Sequence, residues 1–393
     1  MLDPTPRRGP LPAHDFRARA AIARAAIAPL AANHVGGEVA AVVGLGVALR
    51  GLSAHLAVGD RLLLTPRGAA PVPAEVVGFR EGMAHALALG PLDGLGPGRP
   101  ALAAVPPRPA TLAVDDVWLG RVIDPLGRPL DGRGPLPPGA LARPVRVPPP
   151  GATARARLGP RLGFAVRALD AFVTAREGQR LGLFAGAGVG KSTLLGMLAR
   201  GLACDAVVLA LIGERGREVR EFLEDDLGAE GRGRAVTVVA TADAPPLLRR
   251  EAAYAAMTVA EHFAAQGKHV LLLMDSLTRF CTALREIALA AGEPPATRGF
   301  PPSVFAELPR LLERAGPGLE HGGAAGQITG LFTVLVEGDD LGDPVADSVR
   351  SILDGHVVLD RRIAERGRYP AIDVLRSLSR TAGQCLEGLR QIP

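Results

Sequence analysis

Residues 185–192 read Ala185-Gly186-Ala187-Gly188-Val189-Gly190-Lys191-Ser192, a glycine-rich run closed by Lys-Ser. Just before it, Arg180 to Phe184 is an apolar run of strand length, and just after it Leu194, Leu195 and Leu198 mark one face of a helix. Strand, glycine turn and helix N-terminus in that order leave few folds open. Such a turn closes backbone N–H groups around an anion, and the helix dipole favours negative charge at that end. The spacing [A/G]xxxxGK[S/T] is that of a phosphate-binding P-loop. In it Gly186, Ala187, Gly188, Val189 and Gly190 supply the cradle, Lys191 reaches the β- and γ-phosphates of a nucleotide, Ser192 takes a position on Mg²⁺, and Thr193 opens the helix.

The rival explanation is a chance turn, since the chain holds 49 glycines. Lysine usage argues against it. Of 45 Lys and Arg residues only Lys191 and Lys268 are lysines, and one of them stands where a compact ammonium is needed and a guanidinium fits poorly.

At 393 residues the chain has room for two or three domains. An aromatic content of 4% means that the core must be built from Ala, Leu and Val. The net charge of +5 is carried by arginines scattered among acids, which permits acidic partners or lipid headgroups without demanding nucleic acid. Cys204, Cys281 and Cys385 are too far apart for a CxxC pair or a metal cluster, and read as buried thiols in a reducing compartment. No apolar run approaches bilayer length, and the first residues (Asp3, Pro4, Arg7, Arg8, Pro10) carry no signal-peptide core. The expectation is a cytoplasmic protein, at most peripheral to a membrane.

Five segments follow from composition. Residues 1–34 hold a Pro/Arg-rich tail and then a stretch with Phe16, Ile22, Ile27 and Leu30 near helical spacing, interleaved with Arg17, Arg19 and Arg24. That amphipathic helix either docks on a partner or membrane surface or packs on its own domain. Residues 35–105 break into short β-like runs, Gly37–Val43, Asp60–Leu64, Ala74–Phe79 and Met83–Leu89, which suggest a small barrel. Phe79 is its only aromatic residue, too few for the stacking platforms of a nucleic-acid-binding barrel. Residues 106–160 read as a Pro-rich connector packing on the next domain. From 161 to 383 strands alternate with helices: strands at Ala206–Ile212, Ala235–Ala240, His269–Met274 and Gln327–Val336, helices around 216–227, 247–265, 278–291 and 303–315. That alternation is an α/β fold, a parallel sheet covered on both faces. Residues 384–393 are a short C-terminal remnant.

Two strands in this region end in acids. His269 to Met274 is apolar and delivers Asp275, as a Walker B element must to hold Mg²⁺ beside the P-loop. Ala206 to Ile212 is followed by Gly213 and Glu214, a carboxylate placed to orient and deprotonate an attacking water. Arg215 beside it is a candidate γ-phosphate contact, whereas Glu218 reads as an ordinary surface charge.

The stretches Gly213-Glu-Arg-Gly-Arg-Glu-Val219, Met274-Asp-Ser-Leu-Thr-Arg-Phe280 and Gly292-Glu-Pro-Pro-Ala-Thr-Arg-Gly-Phe-Pro-Pro-Ser-Val-Phe305 resemble the export ATPases of bacterial flagella and type III secretion systems, relatives of the catalytic subunits of rotary ATP synthases. Val334-Leu-Val-Glu-Gly-Asp-Asp340, Ile352-Leu-Asp-Gly-His356 and Tyr369-Pro-Ala-Ile-Asp373 continue the likeness, which covers roughly residues 35–383. Glu75-Val-Val-Gly-Phe79 and Leu119-Gly-Arg-Val-Ile-Asp124 are similar to the flagellar branch in particular.

The resemblance implies a RecA-like P-loop core behind an N-terminal barrel, and a homohexameric ring that hydrolyses Mg-ATP to energise export. It puts the water-activating role on Glu214, the Walker elements on Gly190, Lys191, Ser192 and Asp275, an adenine-stacking ring on Tyr369, and on Arg380 a finger reaching the neighbouring subunit's γ-phosphate. It further implies a stator-like regulator at the N-terminal helix, a central stalk protein, export chaperones and export-gate components, at the inner-membrane export apparatus. Three departures stand out. Ala185 replaces the first P-loop glycine, Leu162-Gly-Phe164 stands where Thr-Gly is more usual, and the chain stops at Pro393, where family members continue through a C-terminal helical domain. The last departure bears on adenine binding, pore function and docking, and leaves the phosphate chemistry intact. Within the family the alternative is a virulence-type secretion ATPase. From other classes the alternatives are a Rho-like RNA translocase and a ring subunit that binds nucleotide without turnover.

Overall fold

The computed structural model describes residues 33–105, 110–319, 326–336 and 342–385. The helix expected at 15–32 lies outside them. The described residues form two compact units.

The first unit is a closed six-stranded barrel whose strands are Asn33–Val43, Gly46–Arg50, Arg61–Leu64, Val72–Arg80, Met83–Ala88 and Pro100–Val105. Closure follows from pairing of the first and last strands, Asn33 opposite Val105 through Glu38 opposite Pro100. Val39, Leu49, Leu64, Val76, Ala86 and Ala103 fill the interior, small aliphatics suited to a narrow barrel. Four strands coincide with the apolar runs of the sequence. Gly46–Arg50 and Pro100–Val105 were not anticipated; the second is rich in alanine, a weak strand former.

The second unit is organised around a sheet with Val122–Ile123 at one edge, followed by Ala235–Thr241, Ala206–Glu214, His269–Asp275, Gln327–Leu335, Arg180–Ala185, Gly355–Leu359 and Ile372–Ser379. Neighbours are parallel along this path except the last pair, which is antiparallel. Gly316–Pro317 pairs off the path with Gln327–Leu335. The central strands are apolar on both faces because both are covered. In Ala206–Glu214 the even positions Val208, Ala210 and Ile212 join one core, with Met257, Phe263, Phe280 and Leu308 from the helices Pro246–Ala264, Leu277–Ala291 and Pro302–Leu312. The odd positions Val207, Leu209 and Leu211 join the other, with Leu194, Leu195 and Leu198 from the helix Lys191–Gly201.

The helix expected at 216–227 is broken. It runs as Gly216–Glu221, a π-turn at Phe222–Asp226 and a further turn at Gly228–Gly233, in a stretch interrupted by Gly228, Gly231 and Gly233. The Pro-rich stretch does more than cover the core. Val122–Ile123 extends the sheet, and Trp118 and Val145 are buried in it. Arg314, fully buried, ties that stretch down by donating to the Val145 carbonyl oxygen at 2.7 Å and to Glu261 at 2.7 Å. Among the described residues no helix is long and apolar enough to cross a membrane.

Candidate active site

The strand Arg180–Ala185 delivers the P-loop, and the helix Lys191–Gly201 begins at its end. Gly190 caps that helix with φ +87, in the left-handed region, and a Cβ there would lie 3.3 Å from the Tyr369 ring. Position 190 therefore needs glycine for its backbone, and a side chain there would also crowd the Tyr369 ring. Tyr369 leans on the P-loop with 61% of its surface exposed, so one face is offered to a ligand. Ala187, Gly188, Ser192 and Thr193 are exposed, Gly186 is buried, and Val189 anchors the loop in the core below. From the side, Arg361 donates to the Ala187 carbonyl oxygen at 3.1 Å.

The Lys191 ammonium binds the Asp275 carboxylate and lies 3.8 Å from Glu214 Oε1. Asp275 is buried, and the Thr333 hydroxyl donates to its other oxygen at 2.6 Å. Burial, and then the negative charge of Asp275, push the Glu214 carboxyl up to about 7 against the opposing pull of Lys191. Ser192, Glu214, Glu218 and Asp275 line one cavity of about 70 Å³.

Two expectations need correction here. Glu218 belongs to this cavity and hydrogen-bonds Glu214, raising its pKa further. Its signal was positional, since four residues beyond Glu214 in the first turn of Gly216–Glu221 brings a side chain back over the strand end. Arg215 does not line this cavity: 80% of its side chain is exposed, and it forms an ion pair to Glu218 at 3.2 Å. Thr333, which nothing in the sequence marked, fixes the orientation of Asp275.

The hydroxyl of Ser192 and the carboxylate of Asp275 are the hard oxygen donors that Mg²⁺ prefers. No group of three or more His, Cys, Asp or Glu among the described residues could hold a metal alone. This donor set fits an ion whose remaining positions are phosphate oxygens and water.

Arg380 lies elsewhere. It is exposed in a separate cavity of about 300 Å³ with Asp347, Arg350, Ser351 and His356. Its flanking residues are fastened to Gln179, just ahead of the P-loop strand. Thr381 Oγ1 donates to Gln179 Oε1 at 2.6 Å, and Gln179 Nε2 donates to Ser379 Oγ at 3.0 Å. The Arg380 N–H donates to the Asp354 carbonyl oxygen at 3.0 Å, and the Asp354 carboxylate in turn binds Arg180 at 3.1 Å. Arg380 thus stands at the start of the strand whose far end carries the P-loop.

Sheet order, P-loop and facing carboxylates define the class: a P-loop nucleotide-binding protein with a RecA-like core. Residues 165–379 match the ATP synthase alpha/beta family, nucleotide-binding domain. A flagellum-specific ATP synthase of Caulobacter vibrioides is 55% identical over 91% of this chain and 82% of its own length. A type 3 secretion system ATPase of Xanthomonas euvesicatoria is 50% identical over 91% and 79%. The assembled ATPase EscN of the enteropathogenic E. coli type III secretion system superposes with a TM-score of 0.78 at 42% identity, covering 88% of this chain and 81% of EscN. The chain belongs to the ATP synthase alpha/beta family, among its flagellar and type III secretion ATPases.

Proposed function

We propose that this chain hydrolyses Mg-ATP in a homohexameric ring that energises flagellar protein export. The observation that carries the proposal is the meeting of Lys191, Asp275 and Glu214 at the mouth of the P-loop. A carboxyl pushed to about 7 is half ionised at neutral pH, close to the best value for a general base. Glu214 takes the proton of the attacking water, and Lys191 turns from the two carboxylates toward the β- and γ-phosphates. The backbone of Gly186–Thr193 cradles those phosphates, and Tyr369 stacks on the adenine. Ser192, and Asp275 through water, would hold Mg²⁺, whose charge would offset that on the phosphate oxygens.

Arg380 supplies the finger to the neighbouring copy. Its place at the opposite end of the P-loop strand supports that reading, because it lines a cavity separate from its own P-loop. EscN has been solved assembled, and also in complex with its central stalk EscO, in which form it superposes with a TM-score of 0.77 at 41% identity over 88% of this chain and 80% of EscN. Both support a ring with a stalk partner here. A regulator at 15–32, export chaperones, export-gate components and a peripheral place at the inner membrane complete the proposal. The 55% identity to a flagellum-specific relative favours the flagellar over the virulence branch.

The test is phosphate release across a protein concentration series, beside Glu214→Gln. Turnover per chain should rise with concentration and vanish in the variant. Equal release from both proteins would refute the role of Glu214, and turnover independent of concentration down to monomer would refute completion by a neighbour.

A further inference from the structure

We propose that Gly213 is a positioning residue, an extra residue in the strand Ala206–Glu214 that turns Glu214 onto the face of the sheet where Lys191 and Asp275 lie. The inference rests on the reading of Glu214 as the base.

Side chains alternate along a strand. Leu211 faces the P-loop helix and Ile212 the opposite core, so unbroken alternation would send position 213 to the P-loop face and Glu214 to the far face, behind the sheet. The strand does not continue in register. Ile212 pairs with Ala240 and Glu214 with Thr241, the very next residue of the neighbouring strand, which leaves Gly213 unpaired as a bulge. Its φ of +69 is in the left-handed region that glycine adopts freely. A Cβ at 213 would lie 3.1 Å from Arg279 Cβ, so position 213 faces the helix Leu277–Ala291 and not the P-loop. One inserted residue reverses the parity of the strand, and Glu214 joins Leu211, Ser192 and Asp275 around one cavity. Asp275 needs no such device. It follows Leu271 and Leu273 on the P-loop face by plain alternation. The two carboxylates therefore reach one cavity by different means, and only one of them depends on a glycine.

The experiment compares steady-state turnover and Mg-ATP affinity for Gly213→Ala, Gly213→Asn and Glu214→Gln. Asparagine is larger than alanine but tolerates left-handed backbone far better. If φ governs, Gly213→Ala loses about 10²–10⁴-fold in kcat, as removal of a general base does, and Gly213→Asn keeps clearly more turnover. Both should still bind Mg-ATP, since the P-loop is untouched. If Gly213 only leaves room for Arg279, the smaller alanine must do at least as well as asparagine, and that order would overturn the inference. Wild-type kcat in Gly213→Ala beside an inactive Glu214→Gln would overturn it as well. Wild-type turnover in Glu214→Gln would instead bring down the base assignment, and the inference with it.

Discussion

Replacing Glu214 by Gln keeps the shape of the side chain and removes a charge that the fold disfavours, so the variant should be the more stable protein at alkaline pH. The carboxyl is raised from 4.5 to about 7, first by burial and then by Asp275. Between those values the folded chain holds a proton that the unfolded chain has released, and wild-type stability falls as pH rises. Above about 7 both states are ionised and the whole penalty is present; below 4.5 both are protonated and it vanishes. At about 1.4 kcal/mol per pKa unit the full gap is worth about 3 kcal/mol. The side chain keeps 14% exposure, and screening by water reduces the expected gain to about 1–2 kcal/mol. The assay is thermal unfolding of wild type and variant at about pH 5 and about pH 8. The variant's Tm advantage should widen by a few degrees toward the higher pH. An advantage that stays flat, or a variant less stable at high pH, would refute the argument that burial and Asp275 hold this carboxyl up.

Two further outcomes follow from the geometry. Arg314→Met removes a buried cation and leaves Glu261 and the Val145 carbonyl without their donor, so it should cost about 3–5 kcal/mol in urea unfolding; an unchanged midpoint would show that Arg314 does not pin the Pro-rich stretch. Arg380→Ala and Lys191→Ala should each lose turnover, by on the order of 10³ for the finger, yet recover part of it when co-assembled, because some sites then join an intact Lys191 to a neighbour's intact Arg380. Co-assembled rings that stay inactive would refute a finger acting between copies.

The sheet was legible because its central strands are long apolar runs, two of them ending in carboxylates. Ala206–Ile212, Ala235–Ala240 and His269–Met274 are found extended by one or two residues, to Glu214, Thr241 and Asp275. The helices at 247–265 and 278–291 are found at Pro246–Ala264 and Leu277–Ala291, their ends marked by Pro246 at one start and by Gly292 at the other's close. What escaped the sequence was everything set by tertiary proximity. Thr333 looks like any strand threonine until Asp275 is beside it. Val122–Ile123 is too short to announce itself as a strand. Tyr369 and Arg380 carry no local signal and were marked only by resemblance. The reversal of parity at Gly213 hides inside an ordinary strand end, since periodicity shows which residues alternate and not where one of them is extra.

The fastening of Ser379 and Thr381 to Gln179 ties the Arg380 segment to the strand Arg180–Ala185, a short rod paired along both edges. Its six residues span about 20 Å, with the Arg380 segment clamped at one end and the P-loop at the other. In the proposed ring each copy would touch its neighbour's terminal phosphate with one end of this rod and grip its own nucleotide with the other. Loss of that phosphate would release one tip and be felt at the other without any change of fold between them. Firing order around the ring would then be a mechanical property of a single strand.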